Sequence, residues 1–143
     1  IPLYHIQATG KLIVAEGIET ALAARELTRN SQEYGLYAAI SANGIKTLVL
    51  PNGLQELLII ADHDTPRPIG YQAAHALAIC AIRQGIRTNI WQPQTENFDA
   101  LDELLRLRAE QAAQEQQVAR LAQQQTHPAA AILNKLKTRS TPL

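Results

Sequence analysis

The stretch Leu57-Leu58-Ile59-Ile60-Ala61-Asp62-His63-Asp64 decides the fold. Its five leading apolar residues show no polar alternation, so they read as a strand covered on both faces, the kind found inside a parallel sheet. The run then closes in two carboxylates. Alternate residues of an extended segment point to one side, so Asp62 and Asp64 can face a single ion while His63 turns aside to pack or hydrogen-bond. Carboxylates at the end of a buried strand are costly unless paired or bound to a cation, so the pair points to a cation site.

Upstream, Lys11-Leu12-Ile13-Val14-Ala15 is a second apolar strand, closing in Glu16-Gly17-Ile18-Glu19-Thr20. Helical spacing through Ile18, Leu22, Ala23 and Leu27 predicts a helix over 18–30. A short strand is expected over 37–40, turn chemistry at Ser41-Ala42-Asn43-Gly44, and a brief extended segment over 47–50 before the break at Pro51-Asn52-Gly53. Downstream, Thr65-Pro66-Arg67-Pro68 reads as a loop. Ala73, Ala76, Leu77, Cys80 and Ala81 form the stripe of a helix over 69–84, with Gly85 as its C-terminal cap. A strand over 88–91 follows, then a long helix-prone segment over 98–125 rich in Ala, Gln and Glu.

This alternation predicts an α/β fold of about four mostly parallel strands flanked by helices on both faces. Functional sites in such sheets lie at the carboxyl ends of the strands. Glu16 and the Asp62/Asp64 pair both fall there, which turns two local signals into one constellation. All the aspartates of the chain stand in two pairs, Asp62/Asp64 and Asp99/Asp102, whereas the glutamates are scattered. That confinement argues for placement by chemistry or by helix capping. Glu19 falls in the first turn of the helix after Glu16, where a carboxylate caps unpaired N–H groups.

The 143 residues suit one main domain, and 46% hydrophobic composition is that of a globular protein. The formal net charge of zero announces no global positive field for nucleic acid. The one cysteine, Cys80, permits no intrachain disulfide or zinc knuckle and is expected to be a small buried hydrophobe in a cytoplasmic protein. No apolar run approaches membrane-spanning length, so no membrane is expected among the partners. A start at Ile1 without methionine reads as a piece of something larger. Gly44-Ile45-Lys46-Thr47 imitates the end of a phosphate-binding loop, but Ala39 occupies the place of its first glycine. Over 106–125 the apolar positions Leu107, Ala112, Val118 and Leu121 hold no heptad, so a solvent-facing helix or linker is expected rather than a coiled coil. The end, with Thr126-His127-Pro128 and the basic Lys135-Leu136-Lys137-Thr138-Arg139, reads as a connector or a flexible terminus.

The strand closing in Glu16-Gly17 and the strand Leu58-Ile59-Ile60-Ala61 closing in Asp62-His63-Asp64 resemble a Toprim domain, the metal-binding catalytic module of bacterial-type primases, topoisomerases and some nucleases. More narrowly, Glu16-Gly17-x-Glu19-Thr20, the turn Ser41-Ala42-Asn43 and the late Asp99-Ala100-Leu101-Asp102 before Leu104 and Leu105 resemble phage, plasmid and other mobile-element primases. Housekeeping primases carry an aspartate where Thr20 stands, so the mobile-element type fits better. The resemblance runs from about Lys11 to Leu105. It implies a Toprim-like, Rossmann-like catalytic domain over 1–105 and a helical, Gln/Ala-rich extension or linker over 106–143.

The resemblance further implies Mg²⁺, with Mn²⁺ as a substitute, held by Asp62, Asp64 and Glu16. Glu16 would hold a second ion or act as general acid/base, and Asp99, Asp102 and Glu19 would extend the acidic edge. Lys46 and Arg67 are candidate phosphate or DNA contacts. The implied activity is nucleotidyl transfer from nucleoside triphosphates on single-stranded DNA, beside other domains of a larger primase/helicase polypeptide. The alternatives are strand cleavage of the nuclease or topoisomerase type and a non-catalytic DNA-repair adaptor. Near-neutral charge and the lack of a zinc or aromatic stacking element make isolated DNA binding weak by expectation.

Overall fold

A computed structural model describes residues 1–125. Thr126-His127-Pro128 and the basic segment around Lys135, expected to be a connector or a terminus, lie outside the described residues. The chain divides into two compact units, Ile1–Arg106 and a second beginning at Leu107. In the first unit a five-stranded sheet is built from β1 (Pro2–Tyr4), β2 (Lys11–Ala15), β3 (Tyr34–Ala38), β4 (Glu56–Ile60) and β5 (Arg87–Trp91), in the order β1-β3-β2-β4-β5. All pairings are parallel except that of β1, which lies antiparallel on β3. The helices are α1 (Ile18–Leu27), α2 (Ala42–Lys46), α3 (Ile69–Arg83) and α4 (Ala100–Gln125), with a 3₁₀ turn at Ser31–Glu33. Residues 107–125 of α4 belong to the second unit.

Strand side chains alternate between two cores, as a sheet covered on both faces requires. Leu12, Val14, Leu57 and Ile59 pack with Ile45 of α2 and with Ala73, Ala74, Leu77, Ala78 and Ala81 of α3. Ile13, Ala15 and Ile60 pack on the other face with Ala21, Ala23 and Ala24 of α1 and with Ala100 and Leu104 of α4. Alanines line the buried sides of α1 and α3, which lets the helices approach the sheet closely.

The observed elements correct several expectations. The third strand spans Tyr34–Ala38 rather than 37–40. Gly35 hides its start, because glycine is a poor strand former. It is needed there because a Cβ would stand 2.7 Å from Ile6 Cγ1. The expected turn at Ser41–Gly44 is the start of α2, whose N-cap Ser41 Oγ accepts from Gly44 N at 3.0 Å. Residues 47–50 join no strand; Leu50 is apolar because it is buried in a loop. Cys80 is exposed rather than buried. The buried stripe of α3 runs through Gly70, Ala73, Ala74, Leu77, Ala78 and Ala81, and Cys80 lies one residue, or about 100°, off it. Ahead of the second strand, β1 has no counterpart in the sequence-based expectation.

A short helix must reverse the chain directly after β3, and Gly44 permits this where any Cβ would collide with the Ala39 carbonyl oxygen. Gly44→Ala is therefore expected to cost about 1–3 kcal/mol, the range for overpacking a tight site. Urea unfolding followed by circular dichroism measures it, and an unchanged midpoint would contradict the close approach.

Candidate functional site

The two ends of the sheet treat their charges in opposite ways. At the amino end, Lys11 Nζ lies 2.5 Å from Glu33 Oε2, and Arg87 Nη2 lies 3.0 Å from Glu56 Oε2. Tyr34 Oη donates to Glu56 Oε1. Burial, then this hydrogen bond to the carboxylate, pushes the Tyr34 phenol up to about 12. Every acid there has a partner.

At the carboxyl end no cation among the described residues forms an ion pair with the acids. Glu16 follows β2 directly, and Asp62 stands two residues beyond the end of β4. Burial pushes the Asp62 carboxyl up to about 6, and Asp99, Asp64, Glu16 and Asp102 add to the shift by charge repulsion, in that order. Four of the carboxylates named from the sequence therefore act on a fifth, Asp62. Asp62 Oδ1 is buried with no hydrogen-bond partner. Leaving such an oxygen unpaired costs on the order of 1–3 kcal/mol.

His63 turns away, as the alternation of an extended chain requires. Its Nδ1 donates to the Pro93 carbonyl at 2.9 Å, which sets the tautomer. Its backbone N–H donates to Phe98 O, and its carbonyl accepts from Asn97 N. Asn97 sits at φ 59, and its side-chain Oδ1 accepts from both the N–H and the hydroxyl of Thr65. The loop after β4 is thus latched to the segment that opens α4. Asn97 does not stand out in the sequence; its left-handed φ, which asparagine tolerates, is the signal that could have found it.

Asp99 and Asp102 form a reciprocal capping pair on α4. Asp102 N donates to Asp99 Oδ1 at 2.9 Å, and Asp99 N donates to Asp102 Oδ2 at 3.1 Å. The second oxygen of Asp99 accepts from Thr20 Oγ1 at 3.4 Å. Thr20 is the one buried polar residue among those described, at 6% exposure. In the sequence Thr20 stands out only as a replaced aspartate; in the fold it ties α1 to Asp99. Gly17 makes room for it, since a Cβ there would lie 3.3 Å from Thr20 Oγ1. Glu19 is exposed in the first turn of α1, a helix start without a side-chain capping bond.

Lys46 is exposed at the end of α2, and Arg67 is exposed in the loop before α3. Gly70 brings α3 against the acids: a Cβ on it would touch Asp64 Oδ2 and Asp62 N, each at 3.8 Å. Among the described residues no three acidic, histidine or cysteine side chains stand close enough to hold a metal as they are. Two of the five carboxylates spend oxygens on the helix cap, which leaves Glu16, Asp62 and Asp64 as the uncommitted donors. An all-oxygen set around an orphaned buried carboxylate oxygen suits a hard divalent cation.

The shift on Asp62 has a definite pH signature. The carboxyl titrates near 3.8 in the unfolded chain and at about 6 in the folded one, so the native state holds the extra proton between those values. The stability that this group contributes is full below about pH 4 and is lost as pH rises through 6. Solvent screening of this partly exposed group reduces the loss to on the order of 1 kcal/mol. Asp62→Asn in chelator is expected to raise Tm at pH 7.5 by a few degrees and to leave it unchanged at pH 4, as read by calorimetry. Equal Tm values at pH 7.5 would show that the carboxylate is not strained.

No curated protein and no solved structure matches the chain. The family model described as Toprim domain matches residues 11–111, from the first residue of β2 into α4. Toprim domains generally bind Mg²⁺ and serve nucleic-acid enzymes of nucleotidyl-transfer, nuclease, topoisomerase and primase type. With its five-stranded, mostly parallel sheet between helices and its acids gathered at the carboxyl edge, this chain belongs to the Toprim family.

Proposed function

We propose that the chain is the Mg²⁺-dependent nucleotidyl-transfer module of a primase-like enzyme, making primers from nucleoside triphosphates on single-stranded DNA in the cytoplasm. The reading extends to replication or transfer of a mobile element, with further domains of a primase/helicase polypeptide alongside. The observation that carries the catalytic part is the convergence of Glu16, Asp64, Asp99 and Asp102 on Asp62, whose buried oxygen lacks a partner. The sequence signature Glu16-Gly17-x-Glu19-Thr20 favours the mobile-element primases.

Asp62, Asp64 and Glu16 would hold the metal, which when bound neutralises charge on the triphosphate oxygens. Mn²⁺ offers the same preference for oxygen donors. Glu16 also acts as a base, its carboxylate accepting the proton of the attacking hydroxyl as that oxygen bonds to the α-phosphorus and pyrophosphate leaves. Its backbone is steadied for this by Ile40, whose N–H donates to Glu16 O at 2.7 Å. Asp99 and Asp102 are positioning residues, fixing the start of α4 beside Asp62 through their cap and through Thr20.

Calorimetric titration of the chain with Mg²⁺ or Mn²⁺ is expected to show binding that Asp62→Asn/Asp64→Asn abolishes. In the polypeptide that carries this domain, Asp62→Asn and Glu16→Gln are each expected to reduce primer synthesis about a hundredfold or more. Retained synthesis in both variants would refute the proposal. Acid-dependent nicking of supercoiled DNA without synthesis would reassign the site to strand cleavage, and metal binding with neither activity would indicate an adaptor.

A further inference from the structure

The chain has no net charge, yet its charges are unevenly placed. Helix α3 carries no acidic residue in fifteen positions; its single formal charge is Arg83. Neighbouring α2 contributes only Lys46, and the loop entering α3 contributes Arg67. At the start of α3, Gly70 abuts Asp64 of the site. A basic face therefore begins where the acidic edge ends.

That face is also grooved and partly aromatic. A groove of about 310 Å³ runs between α2 and α3, with Asn43, Lys46, Ile69 and Gln72 on its walls. A second, of about 450 Å³, continues along α3 past Tyr71, His75 and Ile79, and the two share Gln72 and Ala76. Tyr71 and His75 lie one turn apart with ring centroids at 6.3 Å and planes inclined by 31°. Both are exposed, as are Ile69 at 56% and Ile79 at 41%. Flat rings and apolar side chains in solvent, flanked by cations and side-chain amides, match the needs of an unpaired nucleic-acid strand. Such a strand has bases to stack and phosphates to neutralise.

We infer that the outer face of α3 seats single-stranded nucleic acid, with bases stacked on Tyr71 and His75 and phosphates on Lys46 and Arg67. The inference rests on the proposed nucleotidyl transfer only in naming this strand as the template. Charge complementarity favours a polyanion over an apolar protein partner. The track leads along α3 to Gly70, so the strand would arrive beside Asp62 and Asp64 without crossing the acidic edge.

Fluorescence anisotropy of a labelled oligothymidylate at low salt tests this with the whole chain. Tyr71→Ala/His75→Ala is expected to weaken binding at least about tenfold, and Tyr71→Phe to preserve it. Lys46→Ala/Arg67→Ala is expected to lower the slope of log affinity against log salt by about 1.4. Asp62→Asn, which removes a negative charge, is expected to leave binding intact. Retained primer synthesis in both Asp62→Asn and Glu16→Gln would therefore sink the catalytic proposal without touching this one. Circular dichroism confirms that the surface variants fold. Unchanged affinity in the folded Tyr71→Ala/His75→Ala chain overturns the inference, as does wild-type binding weaker than about 100 µM at low salt.

Discussion

Everything in the site depends on the parallel pairing of β2 with β4. The two strands run in register from Lys11 opposite Glu56 to Val14 opposite Ile59. Glu16 lies two residues past Val14, and Asp62 lies three past Ile59, so the ladder delivers both carboxylates to one edge. An antiparallel pairing of the same residues would send them to opposite ends of the sheet. The hydrophobic cores on both faces hold this register, because a slip of one residue would turn Leu12, Val14, Leu57 and Ile59 away from α2 and α3.

The contrast between the two ends of the sheet separates structure from chemistry. Carboxylates at the amino end are satisfied by Lys11, Arg87 and Tyr34. Those at the carboxyl end repel one another around a buried oxygen without a donor. Folding alone has no use for the second arrangement, which costs stability at neutral pH. Concentrated like charge of this kind is characteristic of sites that await an opposite charge.

Most of the acidic edge was legible because it lies in local patterns: an apolar run, then an acid. The strands β2 and β4, the helix α3 and the capping character of Asp99 and Asp102 all follow from short-range periodicity or spacing. What escaped depends on contacts far apart in sequence. Thr20 meets Asp99 across 79 positions, and Gly35 is explained only by the passage of Ile6. The short helix α2 is too brief for periodicity to show. Cys80 was misplaced because alanine-rich α3 offers several nearly equivalent stripes, and only the sheet decides which one is covered. Tyr71 and His75 stand at helical spacing, yet their exposure became visible only once that stripe was known.

The latch between His63 and Asn97 also restricts how chain length can vary in this domain. Between Trp91 and Asn97 the backbone is a loop, bonded to His63 only through the Pro93 carbonyl, and extra residues there can bulge into solvent. From Asn97 onward there is no such freedom. Asn97 N and Phe98 O are tied to His63, and Asp99 caps α4 immediately after them. One residue inserted between Asn97 and Asp102 would swing the remainder of α4 by about 100°. It would also unseat Ala100 and Leu104 from the sheet. Drift in length is thus tolerated on one side of a single asparagine and forbidden on the other.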